Sequence, residues 1–188
     1  QHNKAINANP LSGLPGNIEI VDTVCDLMKD HKKFAVLYCD LDNFKAYNDT
    51  YGFLRGDDVI LYTRDVLREA VRQLDLKDCF VGHEGGDDFV VITDVASYEP
   101  LAETIIRLFD SEVKQFYTKQ DQKRGYIEAY NREGQYRRFR FVSVSIGIVT
   151  NHETEFESYP EVISIAAEMK KHAKATNGSS YSVNRRKQ

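Results

Sequence analysis

Val81-Gly82-His83-Glu84-Gly85-Gly86-Asp87-Asp88-Phe89-Val90-Val91-Ile92 reads as a strand, a two-glycine turn carrying two acids, and a second strand. A Gly-Gly pair supplies positive φ at little steric cost, so residues 81–92 predict a tight β-hairpin. The tip carries more charge than a turn needs. Asp87 and Asp88 stand side by side, next to backbone that Gly85 and Gly86 leave exposed. Adjacent carboxylates beside bare backbone suit a phosphate–metal ligand, but Gly-Gly-Asp is also ordinary turn composition. From these residues alone, a solvated turn and a binding site both stand.

Upstream, Phe34-Ala35-Val36-Leu37-Tyr38-Cys39 is a nearly continuous apolar run, the pattern of a strand buried on both faces. It ends abruptly in Asp40-Leu41-Asp42-Asn43. Acids at the C-terminal end of a buried strand line binding crevices in α/β proteins, or simply solvate the strand end. Phe44 to Tyr51 predicts a short helix stopped by Gly52. Gly56-Asp57-Asp58 then opens a longer helix to about Gln73, with Asp57 or Asp58 as N-cap. Val59, Ile60, Tyr62, Val66, Leu67, Ala70 and Val71 form its apolar stripe.

Near the start, Pro10 to Asn17 is dense in turn formers, and Leu11 and Leu14 are expected to tuck that loop onto the body. Asn17 is expected to cap a helix that turns Ile18, Val21, Val24, Cys25 and Met28 inward. After the hairpin, Pro100 begins a helix whose inner face is Leu101, Ile105, Leu108, Phe109, Val113 and Phe116. Lys119 to Gly125 reads as a charged loop. Tyr126–Tyr130 and Phe139–Val149 read as two strands joined through Asn131-Arg132-Glu133-Gly134-Gln135. Pro160 starts a last helix with Val162, Ile163, Ala166, Met169 and Ala173 inward, ended by Asn177-Gly178. Tyr181-Ser182-Val183 is an edge strand. The whole predicts an α/β (α+β) fold: a mixed, largely antiparallel sheet of about five strands flanked by helices, with an extra β-hairpin.

With 188 residues, 41% of them hydrophobic, the chain fits one domain able to bury a full core. A formal net charge of −4 excludes a broadly basic nucleic-acid surface, and Arg137-Arg138 and Arg185-Arg186-Lys187 are too short to supply one. No run approaches the ~18 apolar residues of a membrane span, so no membrane contact is expected of this domain. Cys25, Cys39 and Cys79 lack ligand spacing and read as free thiols in a reducing cytosol. The opening Gln1-His2-Asn3-Lys4 has no initiator methionine and reads as part of a longer protein. Residues 1–8 are expected to be an arm or linker end, 9–184 the domain, and 185–188 a tail.

The order of these pieces resembles one family. Asn9-Pro10-Leu11-Ser12-Gly13-Leu14-Pro15-Gly16-Asn17 is similar to its opening, Asp-x-Leu-Thr-Gly-Leu-x-Asn. Asp40-Leu41-Asp42-Asn43-Phe44-Lys45, Asn48-Asp49, Gly52 and Gly56-Asp57 resemble its Asp-hydrophobic-Asp-x-Phe-Lys…Asn-Asp…Gly…Gly-Asp signature. Gly85-Gly86-Asp87-Asp88-Phe89 resembles the motif that names the GGDEF family, the diguanylate cyclases. Ser143-Val144-Ser145-Ile146-Gly147 and Ala173-Lys174 match its late strand and helix, so the likeness runs from Asn9 to Val183.

The resemblance implies a nucleotidyl-cyclase-like, ferredoxin-like core that condenses two GTP into cyclic di-GMP. It implies Mg2+, or Mn2+, held by Asp40, Asp87 and the Leu41 carbonyl. Guanine would meet Asn48 and Asp57, though Asp57 remains a candidate helix cap. Asn43, Phe44, Lys45, Gly85, Gly86 and Lys174 would serve the phosphates. Asp40, Lys45, Asp87 and Asp88 would carry the catalysis, in a homodimer. The implied setting is a cytoplasmic domain in bacterial second-messenger signalling, with sensory or phosphodiesterase domains attached in a parent protein that could be membrane-anchored.

Departures from the family pattern matter. Asp88 stands where the common motif has Glu, one methylene longer. His83 replaces the usual Arg two residues before the glycine pair, and Lys174 is followed by Ala175-Thr176-Asn177-Gly178 without the usual Arg. Leu76 and Cys79 occupy the places of the Arg and Asp of the product-inhibition motif, so no inhibitory site is expected. Two expectations follow: an active cyclase, or a GTP-binding regulatory module of weak or no catalysis that controls an attached domain.

Overall fold

The computed structural model describes residues 7–184; the expected arm up to residue 6 and the tail 185–188 lie outside the described residues. The strands are β1 (Ala35–Asp42), β2 (Phe80–Gly85), β3 (Asp88–Thr93), β4 (Ile127–Tyr130), β5 (Tyr136–Phe139), β6 (Ser143–Thr150) and β7 (Ser180–Val183). Five of them form one sheet in the order β2-β3-β1-β6-β7, while β4 and β5 pair separately as the extra hairpin. All neighbours in the large sheet are antiparallel except β6 and β7, which run parallel. The fold is thus the mixed, mostly antiparallel sheet flanked by helices that the sequence predicts.

Side chains alternate across a strand, and here the alternation sorts the molecule into two layers. Leu37, Cys39, Phe89, Val91, Ile146 and Ile148 face α2 (Phe44–Tyr51), α3 (Phe53–Gln73) and α4 (Tyr98–Glu112), building one buried cluster with Tyr47, Leu67 and Phe109. Val36, Tyr38, Val90, Ile92 and Val149 face α1 (Asn17–Lys29) and α6 (Tyr159–Lys174), packing on Ile20, Val24, Val162 and Ala166. The short α5 (Lys119–Arg124) lies between α4 and the β4–β5 hairpin in sequence. No helix among the described residues is long and apolar enough to cross a membrane.

Several local expectations are corrected, each for a tertiary reason. Helix α1 begins at Asn17 with Gly16 as N-cap and no side-chain cap, because the chain passes so close to Asn7 that a Cβ on Gly16 would lie 2.3 Å from its carbonyl oxygen. Its inner face is Ile20 and Val24, while Ile18 and Cys25 are exposed; of the opening leucines, Leu14 is buried and Leu11 exposed. Helix α3 starts at Phe53, directly after Gly52 (φ 88°), so Asp57 and Asp58 lie inside it rather than capping it. Gly56 is a packing glycine: a Cβ there would meet Asn48 Oδ1 at 1.8 Å.

The charged stretch 119–125 is helix α5, not a loop. Thr118 accepts from the Asp121 amide, Tyr51 donates its hydroxyl to Asp121, and Gly125 ends the helix at φ 87°. The expected single strand 139–149 is divided at residues 140–142, where Tyr117 intervenes. Its ring stacks on Phe141 at 4.1 Å, and its hydroxyl accepts from the Val142 amide at 2.8 Å. That bond takes a backbone donor away from strand pairing and lets the β4–β5 hairpin swing off the sheet.

Candidate functional site

Antiparallel register decides the site. Asp40, near the end of β1, pairs across to Asp88 on one side and Ser145 on the other. Period-two alternation puts Asp40 and Asp42 on the same face as Tyr38, the face covered by α6. The β2–β3 tip brings Asp87 alongside, and Asp40, Asp87 and Asp88 each offer a carboxylate oxygen within 4.8 Å of the others.

Helix α6 answers this anionic edge. Its inward positions Val162, Ala166, Lys170 and Lys174 recur every four residues, so the stripe that is apolar at the start ends in two ammonium groups. Lys174 Nζ lies 3.0 Å from Asp40 and 2.8 Å from Asp42. Lys170 Nζ lies 3.6 Å from Asp40 and 3.7 Å from Asp88, and 4.3 Å above the Tyr38 ring. Asp42 is further held by the hydroxyls of Ser143 (2.7 Å) and Ser145 (2.8 Å). The Tyr38 hydroxyl donates to Glu84, and burial followed by that bond holds the phenol well above its usual range.

The acids do not share one charge state. Burial, then the hydrogen bond and charge of Asp40, push Asp87 up to about 7. Burial also acts to raise Asp40, but the bond from Asp87 and the charges of Lys174 and Lys170 outweigh it and hold this carboxyl low. Burial and the Asp40 charge raise Asp88, against Lys170. Asp40 and Asp87 thus share a proton in a cluster of hard oxygen donors. A cation can replace that proton, and the donor set is the one Mg2+ takes. The residues fit the metal that the resemblance implies.

A cavity of about 600 Å³ opens over the acids, within the range of small-molecule sites. Of the residues singled out from the sequence, Asp40, Leu41, Asn43, Phe44, Lys45, Asp87, Asp88 and Lys174 line it. Lys45 pairs with Asp49 at 2.7 Å. Gly85 and Gly86 form the tip beside it, with open space where side chains would be. Asn48 and Asp57 are not in the lining: Asp57 is exposed on α3, and Asn48 rests against Gly56 with its buried Oδ1 lacking a hydrogen-bond partner.

Sequence reasoning missed four things. Lys170 has a signal in hindsight, its four-residue spacing from Lys174 on the inward face. Asp42 has no signal of its own beyond its place in the Asp-Leu-Asp run. The tip of the extra hairpin, including Tyr130 and Arg132, folds over the cavity, which no local pattern announces. His83 is a clamp: Nε2–H donates to the Gly86 carbonyl at 2.8 Å, so Nδ1 accepts from the Ser12 hydroxyl at 2.8 Å, while the ring stacks on Phe89. Burial lowers its pKa, which favours the neutral ring this arrangement needs.

The family model of the diguanylate cyclase GGDEF domain matches residues 17–180. The chain is 34% identical over 105 residues to the cyclic di-GMP phosphodiesterase PdeR of Escherichia coli, covering 53% of this chain and 15% of that protein. It is 32% identical over 112 residues to the diguanylate cyclase DgcP of Pseudomonas aeruginosa, covering 57% and 16%. The chain therefore matches only a small part of the length of these relatives. Among solved structures, the GGDEF domain of DgcB from Caulobacter crescentus, in complex with c-di-GMP, superposes with a TM-score of 0.67 at 20% identity, covering 94% of this chain and 95% of that one. The family match over most of the chain, and the same fold in that structure, establish that this chain belongs to the GGDEF (diguanylate cyclase) domain family.

Proposed function

We propose that this domain binds GTP with Mg2+ or Mn2+ and, when two copies meet face to face, condenses two GTP into cyclic di-GMP. The observation that carries this reading is the convergence of Asp40, Asp87 and Asp88 with Lys174 at one end of the sheet, on a nucleotide-sized cavity. Asp40, Asp87 and the Leu41 carbonyl would hold the cation, which when bound neutralises triphosphate charge and acidifies a 3′-hydroxyl. Lys45, Lys174 and the amides of Asn43 and Phe44 hold the phosphates, and bare backbone at Gly85 and Gly86 admits them closely. The resemblance gives the guanine edge to Asn48 and Asp57, which stand outside the cavity lining. The Asp57 carboxylate suits N1–H and N2–H, and the Asn48 amide would have to turn from its packing against Gly56 to meet the base. Asp88 would take the hydroxyl proton as the 3′-oxygen bonds to the α-phosphorus and pyrophosphate leaves. Attached sensory or phosphodiesterase domains, and a cytoplasmic setting that supplies GTP, complete the reading.

Incubating the domain, dimerised through a fused coiled coil, with GTP and Mg2+ should yield cyclic di-GMP by mass spectrometry. No product, with GTP binding intact, would shift the assignment to a second reading, a GTP-binding regulatory module. One observation favours that alternative: Asp88 is already engaged by Lys170. Absence of GTP binding at millimolar nucleotide would remove both. Because Asp88 is a methylene shorter than Glu, and ~1 Å of misplacement can cost about 100-fold in rate, Asp88→Glu should raise product formation by ~10-fold or more. An unchanged or lower rate would show that acid length is not limiting.

The raised Asp87 carboxyl gives a pH dependence with a definite sign. Without a cation, the folded domain holds a proton on Asp87 between its ordinary range and about 7, a proton the unfolded chain has lost. This group's contribution to stability therefore falls as pH rises through that window. A cation displaces the proton, so Mn2+ affinity should rise by about tenfold per pH unit from pH 5 to near 7 and then level off. Calorimetric titrations in buffers of different ionisation enthalpy should show close to one proton released at pH 6. A flat affinity across this range would exclude Asp87 as a ligand.

A further inference from the structure

Lys170 is the cation that the family-like motifs do not account for, and it is the more buried of the two lysines. Its side chain is 17% exposed against 35% for Lys174. Its backbone is seated against β6, where a Cβ on Gly147 would lie 2.3 Å from Lys170 N. Its ammonium rests over the Tyr38 ring, and that ring is tied down through Glu84. Both lysines approach the same Asp40 oxygen, Oδ2, so lysine leaves the other oxygen free.

A divalent ion bridging Asp40 and Asp88 would sit at about 2.1 Å from an oxygen of each. Lys170 Nζ stands 3.6 Å and 3.7 Å from those two carboxylates, close enough to oppose such an ion. Like charges that close repel one another strongly. Asp87 has no lysine partner among the described residues, so the Asp40–Asp87 side remains open to a cation.

We propose that the Lys170 ammonium, beside Asp40 and Asp88, plays the part of a second divalent cation there, so that the site takes one ion, on the Asp40–Asp87 side. The inference rests on the reading of this cavity as a divalent-cation site. Lys170 is then a positioning residue: it orients Asp88 and supplies a fixed positive charge where two-metal chemistry would place an exchangeable one. Lys174, more exposed and shared with Asp42, keeps the freedom to meet phosphate.

Mn2+ alone, titrated into the chain and counted by electron paramagnetic resonance, tests this. The wild type should bind one Mn2+, Lys170→Met two, and Lys170→Arg one, because the guanidinium keeps the charge. Circular dichroism checks that the variants fold, and Lys170→Gln replaces Lys170→Met if that variant does not. Two ions in the wild type, or one in a folded neutral variant, would overturn the inference while leaving the cation site standing. No bound Mn2+ in any of these chains would sink the cation-site reading itself, and the inference with it.

Discussion

Asp40→Asn should weaken divalent-cation binding by about 100-fold and reduce cyclic di-GMP formation to the limit of detection. The substitution keeps the shape and leaves the backbone pairing of residue 40 with Asp88 and Ser145 intact, so the sheet should form. What disappears is the anion on which Lys170, Lys174 and the Asp87 proton converge. Its side chain is only 15% exposed, so water cannot substitute fully for the lost charge. Losing a largely buried carboxylate's attraction for the cation costs ~3 kcal/mol, which is about 100-fold in affinity. Asp42 and Asp88 still face the two lysines, which should limit the loss of fold stability. Mn2+ titration and a GTP turnover assay on the same preparation check both halves, and unchanged Mn2+ affinity would remove Asp40 from the metal site.

Gly147→Ala should have the largest effect on stability of any single-methyl change in the sheet. A Cβ at this position would stand 2.2 Å from the Ala166 carbonyl oxygen and 2.3 Å from Lys170 N. Both are backbone atoms of α6, and neither can rotate out of the way. Relief requires α6 to rise from β6, which opens the packing of Val162 and Ala166 on Val36 and Val149. Overpacking of this kind costs ~3 kcal/mol, or roughly 10 °C in Tm for a chain of this size. The same movement would carry Lys170 and Lys174 away from Asp40, so cation affinity should change together with Tm. Ser145→Ala, on the same face of β6, is the comparison: it loses hydroxyl bonds to Asp42 but adds no atom, and should cost only ~1 kcal/mol. Thermal unfolding followed by circular dichroism separates the two, and equal shifts would discount the close contact.

Much of the molecule is legible from one dimension because its signals are local or periodic. The hairpin at residues 81–92 follows from Gly85-Gly86 between apolar runs. The buried central strand follows from Phe34–Cys39, and the inward faces of α3, α4 and α6 follow from their helical period. Misreadings occur where a glycine or a polar run has a distant partner. Gly56 looks like a helix start but is the space Asn48 occupies. Residues 119–124 look like a charged loop but close into a helix because Tyr51 reaches Asp121.

The sequence by itself determined the family, the order of the elements, and the pairing of an acid after β1 with an acid at the Gly-Gly tip. Only the tertiary structure decided how the two acids of that tip differ. Asp87 leans on Asp40 and keeps its proton up to about 7, while Asp88 is engaged by Lys170 from a helix far along the chain. The physical reason is that carboxylate spacing follows from strand register, which local pattern can specify. A carboxylate's charge and partner depend instead on burial and on which cation the opposite layer brings over it, and that is a property of packing.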